Sequence, residues 1–434
     1  MYGGTKTIAG VGICALAMIT SYSASAQDLQ VAAAATPSAA DACLQALDHP
    51  VIDPALLIAR CTTYIDHANP APGEEGAAHL VRAAAYRDDG SEAKARADDE
   101  AAVRLYTSVI DKTQPYPEFV YRRATAYHAL GNINDALQDY DSAIKLNPWN
   151  LVALADRGLL LARYHSQYNL AIADFDSALK LAPDNVDVLI LRGDAYAELG
   201  KYVPALADLD RAVMLAPRNP AAYTHRASAY SRQRLTDKAL QDYAKALSID
   251  PDNVDALVNR GALYSESGDG VSALVEINHA LKVKPGNPIA LYDRGYANFV
   301  RRDYKAAIAD YTAAIDAAPD LGMAYANRCL SAALAGQEQK VVQNDCTHAV
   351  QLLPARPDIR ETRAFVDLKY GDNAAAIDDY NAALKLADNR PLALYGRGIA
   401  RVRLGDSTAG RADQQEARAL YPNIDREFAP FGVE

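Results

Sequence analysis

Cys329 and Cys346, in the stretch "NRCLSAALAGQEQKVVQNDC", are the residues of this 434-residue chain whose types most readily suggest chemistry. Two thiolates at that spacing can contribute to a zinc site, cycle between dithiol and disulfide, or form a permanent brace. The first use needs further donors and the second needs an accessible, electropositive setting. Cys43 and Cys61 pose the same question nearer the N-terminus, and Cys14 is the fifth cysteine.

Other reactive constellations are missing from the sequence. It contains no H-E-x-x-H, G-x-S-x-G, G-x-x-x-x-G-K-[ST] or paired C-x-x-C, and no G-x-G-x-x-G following a strand. The eight histidines are dispersed, none beside a carboxylate or second His at ligand spacing. Acidic runs such as "IDDY" recur periodically, which marks them as scaffold. We therefore expect no catalytic residue, no metal and no cofactor.

Compartment bears on the thiols. The chain opens "MYGGTKTIAGVGICALAMITSYSASA", with Lys6, an apolar run from about Ile8 to Ile19, and Ala24-Ser25-Ala26. That order describes a secretory signal over residues 1–26, cleaved before Gln27. Cys14 would leave with it, since Ile13 is too bulky for a lipid-attachment site. No later run approaches the length of a membrane span. Removing one Lys and no acid takes the formal charge from -11 to -12. An acidic surface repels phosphate backbones, which argues against nucleic acid as a partner. Four cysteines then remain in an exported, periplasmic setting, where an even number favours disulfides.

The elements that must position these residues repeat. Prolines recur every 34 or 35 residues from Pro148 to Pro422, Asp388 filling one vacant slot, and define nine units over residues 117–424. Within Val186 to Asn219, Leu189, Tyr196, Ala205, Leu209 and Ala212 recur at helical spacing, with Gly200 as a break and Pro217 as a stop. Small residues such as Ala136 and Ala143 let the two helices approach closely. A helix pair of this size cannot bury its own apolar face, so neighbours must stack.

With Gly or Ala in the eighth place (Gly158, Gly193, Gly261, Gly295, Gly398), Tyr in the eleventh (Tyr127, Tyr196, Tyr230, Tyr264) and these alanines and prolines, the chain resembles the tetratricopeptide repeat family over about 70% of its length. The resemblance implies an all-α superhelical solenoid of antiparallel helix pairs. It also implies a docking function, with the second, fifth, ninth, twelfth and thirteenth places of each first helix lining an inner wall.

Where that family usually has Leu in the seventh place, all nine units here have Arg, from Arg123 to Arg397, and all nine have an acid in the twenty-third. An arginine row for an anionic ligand is one reading. The expected one is a ladder of ion pairs tying first helix to second, as in Arg260 with Glu276 and Arg294 with Asp310, because partly buried charges are rarely left without counter-ions. In the same frame Cys329 falls in the eighth place and Cys346 in the twenty-fourth, facing each other within one repeat. Cys61 falls in an equivalent of the twenty-fourth place, which suggests Cys43 as its partner. Both pairs are expected to be structural disulfides.

Along the inner wall, repeats three to five are small or polar, while repeats six and seven are apolar and aromatic. Ile289, Tyr292, Tyr296, Phe299, Val300, Met323, Leu330, Leu334 and Phe365 are the expected partner-binding residues, with Leu368, Tyr395, Ile399 and Val402 continuing the trend. Either these form an exposed docking groove, or tighter packing or a wrapped tail covers them. Lys and Asn are missing from the places that would build a carboxylate clamp. Repeat eight departs from the pattern at Arg360.

At the ends, residues 27–40 are expected to be a flexible leader. Residues 41–116 are expected to be a helical cap holding "PALLIARCTTYID" and a degenerate repeat, Glu74 to Gln114, interrupted by a polar insertion "DDGSEAKARA". Gly410, Gln414 and the tail 425–434, with Phe428 and Phe431, are expected to cap the other end. The sequence thus points to a non-catalytic scaffold for a protein or peptide partner in the bacterial envelope. An enzyme or enzyme-associated module acting on envelope material is the alternative.

Overall fold

The computed structural model describes Cys43 and Leu44, residues 53–111 and residues 116–429. The expected signal peptide, Cys14, the leader and Phe431 lie outside the described residues. Among those described there is no strand, and no helix is long and apolar enough to cross a membrane.

The chain divides into two compact units, one ending at Leu235 and the other beginning at Thr236. The N-terminal unit comprises α1 (Pro54–His67), α2 (Pro72–Asp88), α3 (Glu92–Ile110), α4 (Pro117–Ala129), α5 (Ile133–Leu146), α6 (Leu151–His165), α7 (Tyr168–Leu181), α8 (Val186–Glu198), α9 (Tyr202–Leu215) and α10 (Pro220–Arg232). The C-terminal unit comprises α11 (Thr236–Ile249), α12 (Val254–Glu266), α13 (Gly270–Val283), α14 (Pro288–Val300), α15 (Tyr304–Ala317), α16 (Gly322–Leu334), α17 (Gln339–Leu352), α18 (Pro357–Tyr370), α19 (Asn373–Leu386), α20 (Pro391–Arg403), α21 (Ser407–Leu420) and the short α22 (Asp425–Phe428). Each unit is a stack of antiparallel helix pairs.

Local chemistry sets the helix ends. Two residues after Pro148, Pro183, Pro217, Pro251 and Pro285 an Asn side chain caps the next first helix, as when Asn185 accepts from the Val188 amide at 3.0 Å and Asn253 from Ala256 at 3.0 Å. At the turn inside a repeat the backbone enters the left-handed region, φ 70° at Gly200, where a residue without Cβ carries no steric penalty. Proline in the first turn opens α1, α4, α10, α14, α18 and α20.

Small residues make the pairs close. Ala136, Ala143, Ala171 and Ala178 are fully buried. A Cβ added to Gly158 would lie 2.7 Å from the Phe175 ring, and one on Gly193 would lie 2.8 Å from Leu209. The eighth place must therefore stay small because the twenty-fourth fills the space opposite it.

The terminal repeats differ from the sequence reading. No polar insertion separates α2 from α3: only Asp89, Gly90 and Ser91 lie between them. "EAKARA" belongs to α3, because Ala95 is fully buried against the stack and Arg87 reaches across the turn to Asp99. Gly410 is not a capping feature either. It is buried, and a Cβ there would stand 2.7 Å from the Gly398 carbonyl and from Val402, so α20 and α21 meet backbone to backbone.

Candidate functional site

The arginines of the seventh place are engaged by acids of the scaffold. Arg192 donates from Nε and Nη2 to both Asp208 oxygens at 2.7 Å each, and from Nη1 to Asp176 of the preceding repeat at 2.6 Å. The same fork joins Arg123 to Asp139, Arg157 to Asp174, Arg328 to Asp345, Arg363 to Asp379 and Arg397 to Asp413. Arg294 places two donors on one Asp310 oxygen while Asn298 donates to the other at 2.9 Å. Arg260 reaches Glu276 through Nη2 alone, at 2.7 Å. Arg226 and Asp242 fall on either side of the division between the units. Arg360, the oddity of repeat eight, joins the Arg363 rung by approaching Asp379 at 3.4 Å.

Two parts of this ladder escaped the sequence reading. In Arg157, Arg192, Arg226, Arg294, Arg328 and Arg397 the Nη1 donor ties a repeat to its predecessor through a polar residue two positions after the preceding acid: Asp141, Asp176, Asp210, Asn278, Thr312 and Asn381 in turn. The signal was present as "DYD", "DFD", "DLD", "EIN", "DYT" and "DYN". A further rung joins Arg82 to Asp98 in the degenerate repeat, with His79 Nδ1 donating to the same carboxylate at 2.7 Å.

The cysteines are braces. Cys329 and Cys346 are disulfide-bonded with Cα atoms 5.4 Å apart, and Cys43 and Cys61 with Cα atoms 4.8 Å apart. All four are buried. Among the described residues no group of three His, Cys, Asp or Glu side chains could hold a metal ion.

The inner wall of the C-terminal unit separates into a covered and an open part. Phe365 and Leu330 are each only 2% exposed and belong to the core, so they are not free docking residues. Leu368, Ile399 and Tyr395 are buried with them, and Val402 alone of the continuing series stays exposed. The reason lies in α22. Phe428 packs on Phe365 with ring centres 5.8 Å apart and on Tyr395 at 5.0 Å, while the Tyr395 hydroxyl donates to Asp425 at 2.5 Å. The tail thus covers the wall of repeats eight and nine.

Ile289, Tyr292, Tyr296, Phe299, Val300, Met323 and Leu334 remain half-buried. Tyr296 and Phe299 lie nearly parallel, 10° apart with centres at 6.4 Å, and Phe299 leans on Tyr304 at 5.7 Å. Tyr292 packs against Tyr311 and its hydroxyl accepts from Asn327 Nδ2 at 2.9 Å. Asp293 and Glu266 border these rings. Burial, and then the Glu266 charge, push the Asp293 carboxyl up to about 8. The Tyr296 hydroxyl is pushed to about 12 by burial and the two acids. Next along the wall two forks close on themselves, Arg356 on Asp358 and Arg390 on Glu361.

In the N-terminal unit the wall is polar, with several of its charged groups matched internally. Asp156 accepts from Tyr121 at 3.2 Å and Tyr140 at 3.5 Å, and burial still pushes its carboxyl to about 7. His225 meets Asp194 at 2.6 Å and Arg232 meets Glu198. Burial, reinforced by Arg163 and Arg87, lowers His128 to about 4 and keeps it neutral.

Comparison with known proteins follows from this geometry. Family models described as "Tetratricopeptide repeat" match residues 118–150 and, separately, 157–222, 260–321 and 366–423, and one described as "TPR repeat" matches 236–268. Together they cover more than half of the chain. No curated protein matches the sequence. Among solved structures, the APC/C hetero-tetramer Cut9–Hcn1 is 13% identical, covering 85% of this chain and 91% of that one at a TM-score of 0.52. A repeat protein from Parabacteroides merdae is 19% identical over 60% of this chain and 99% of its own, TM-score 0.48. YrrB, titled a TPR protein with an unusual peptide-binding site, is 24% identical over 43% and 95%, TM-score 0.32. At such identities the Cut9–Hcn1 likeness shows the fold alone.

Proposed function

The chain belongs to the tetratricopeptide repeat family, whose folds typically bind protein or peptide partners, and from that premise we propose that it is an exported, non-catalytic scaffold docking a protein or peptide on the open aromatic wall of repeats six and seven. The seating of α22 carries this reading. The chain's own tail lays an aromatic side chain, Phe428, and a carboxylate, Asp425, against Phe365 and Tyr395. A helical or extended ligand would use Tyr292, Tyr296 and Phe299 in the same way one or two repeats earlier. Rings already fixed by packing lose little freedom on binding, which favours recognition.

Export is supported by the two disulfides, which persist in oxidising compartments, and the bacterial periplasm is the proposed site. Thiol labelling of the protein isolated without reductant should leave all four cysteines unmodified, and full labelling of Cys329 would argue for a reducing compartment.

Docking is tested with a photo-crosslinking residue at Tyr296 and, as control, at Val203, which is 85% exposed on a second helix. Capture at Tyr296 but not Val203 of a partner whose binding is lost in Phe299→Asp supports the wall. Equal capture at both positions, or none in a folded protein, overturns it.

A further inference from the structure

The helix α22 does not sit where a lid for the end of the stack would sit. In α21 the exposed residues are already mostly polar, among them Arg411, Gln415, Glu416 and Arg418, and Leu420 and Tyr421 after them also stay exposed. The chain turns inward instead. Phe428 enters between Phe365 of α18 and Tyr395 of α20, and Ile424 joins the same apolar cluster as Leu368 and Ile399. Those are inner-wall residues of two successive repeats, so the segment lies as a docked peptide would.

The contacts resemble those of a ligand in kind as well as in place. Asp425 and Phe428 stand three residues apart, and Ile424 and Phe428 four, so all three reach the wall from one face of a single turn. Asp425 accepts from the Tyr395 hydroxyl at 2.5 Å and from Arg418 Nη2 at 2.7 Å. Arg418, and then Tyr395, hold that carboxyl down to about 2. The Arg418 guanidinium also lies 5.3 Å from the centre of the Tyr395 ring. This seat is built by α18, α20 and α21, and α20 and α21 are joined backbone to backbone at Gly398 and Gly410, independently of α22.

The occupant is lightly held by comparison. Ile424 and Phe428 are the buried residues of 421–429, against seven in α20, and Asp425 and Arg418 are each nearly half exposed. Burial of two side chains barely offsets the entropy of ordering the segment. The segment therefore opens at a lower free energy than the helix pairs beneath it.

We propose that the inner wall of repeats eight and nine is a second docking groove, for a short helical peptide carrying an apolar residue, an acid directly after it and an aromatic ring three places further, and that residues 424–428 of the chain itself fill this groove until such a partner displaces them. The proposal stands apart from docking on repeats six and seven, because none of these residues lies on α14 or α16. Arg418 and the Tyr395 hydroxyl select a carboxylate and reject a cation. The slot between two rings selects a third. Tethering gives the resident segment a high effective concentration, which a partner must exceed in affinity.

Fluorescence anisotropy of a labelled peptide of residues 421–429, added to the full chain, tests this. Asp425→Ala with Phe428→Ala empties the groove and should bind the peptide about tenfold tighter than the unsubstituted chain does. The same peptide carrying Phe428→Ala should not bind, and one carrying Asp425→Asn should bind about fivefold more weakly. Adding Arg418→Ala to the double variant should erase that fivefold difference and leave the Asn peptide's affinity as it was. Should the double variant melt early, Asp425→Asn in the full chain keeps the Phe428 ring, loosens the segment, and should still bind the unsubstituted peptide about threefold tighter. Folded variants that bind the peptide no better than the unsubstituted chain would make α22 a fixed part of the stack and overturn the proposal. Binding indifferent to Phe428 and Asp425 of the peptide would overturn it as well. A dimer of the unsubstituted chain, seen by light scattering and lost in the double variant, would make a second copy's segment the occupant and overturn the assigned partner.

Discussion

Replacing Arg192 with Met should cost far more than the exposure of an arginine suggests, because it strands a carboxylate. Asp208 is 8% exposed, and its two oxygens take two of the three charged hydrogen bonds made by Arg192. Removing one partner of such a pair costs about 3 kcal/mol, the low end for buried pairs, since the arginine side chain itself keeps 21% of its surface in water. Asp176, the third acceptor, is 43% exposed, so Asp176→Ala should cost at most ~1 kcal/mol. Arg192→Met with Asp208→Leu removes both charges and should recover about 2 kcal/mol of the loss. Urea unfolding followed by far-UV circular dichroism gives the totals. Amide hydrogen exchange in α8 and α9 shows whether the loss is local, as nearest-neighbour stacking requires. A cost below ~1 kcal/mol for Arg192→Met, or a double variant no more stable than the single one, would refute the ladder as the tie between helices. A fully stable Arg192→Met protein that lost affinity for an anionic ligand would revive the other reading of the arginine row.

Reducing Cys329–Cys346, which closes 17 residues of chain, should destabilise the C-terminal unit by about 3 kcal/mol, measured as a fall in urea midpoint on adding dithiothreitol or in Cys329→Ala/Cys346→Ala. Gly396→Ala would set a Cβ 2.3 Å from the Tyr380 hydroxyl and ring, costing about 1–3 kcal/mol despite the better helix propensity of Ala, whereas Gly286→Ala, with open space around it, should be near neutral. Asp293 titrates at about 8 in the fold against ~3.9 unfolded, so its protonated form favours folding fully below the unfolded value and that contribution is lost as pH rises through 8. Between pH 6 and pH 9 the loss should be about 2 kcal/mol after screening of a half-buried group, and a melting profile of Asp293→Asn should lack it. An equal fall in both proteins would refute an ionising Asp293.

What could be read from sequence and what could not divide along physical lines. The helix pairs, the small eighth and twentieth places and the Arg-to-acid offset all recur at a fixed distance along the chain, so each is a one-dimensional property. The acceptors at Asp176 and Asn381 recur just as regularly, but nothing in one dimension says that a guanidinium has a third donor facing backwards. Exposure of the wall is different in kind. Tyr296, Leu330 and Phe365 all hold the ninth place, yet the first is half-buried and the other two are core. Their difference is made by what lies over them, and for Phe365 that is Phe428, far along the chain.

Asp293 combines the two cases. Its sequence position is ordinary, and its significance emerges only when the repeat before it is compared with the repeat before Asp156. There Tyr121 and Tyr140 supply hydroxyls that Val258 and Ile277 lack. In a repeat array such a comparison carries its own control, because the backbone at the two sites is the same and only the side chains differ. The titration of Asp293 at about 8, against about 7 for Asp156, follows that difference in donors. Restoring the donors tests that argument directly. Val258→Tyr with Ile277→Tyr should lower the Asp293 titration towards the ~7 of Asp156 and raise stability at pH 9. If Asp293 still titrated at about 8 in a folded double variant, the missing hydroxyls would not be what sets it apart from Asp156.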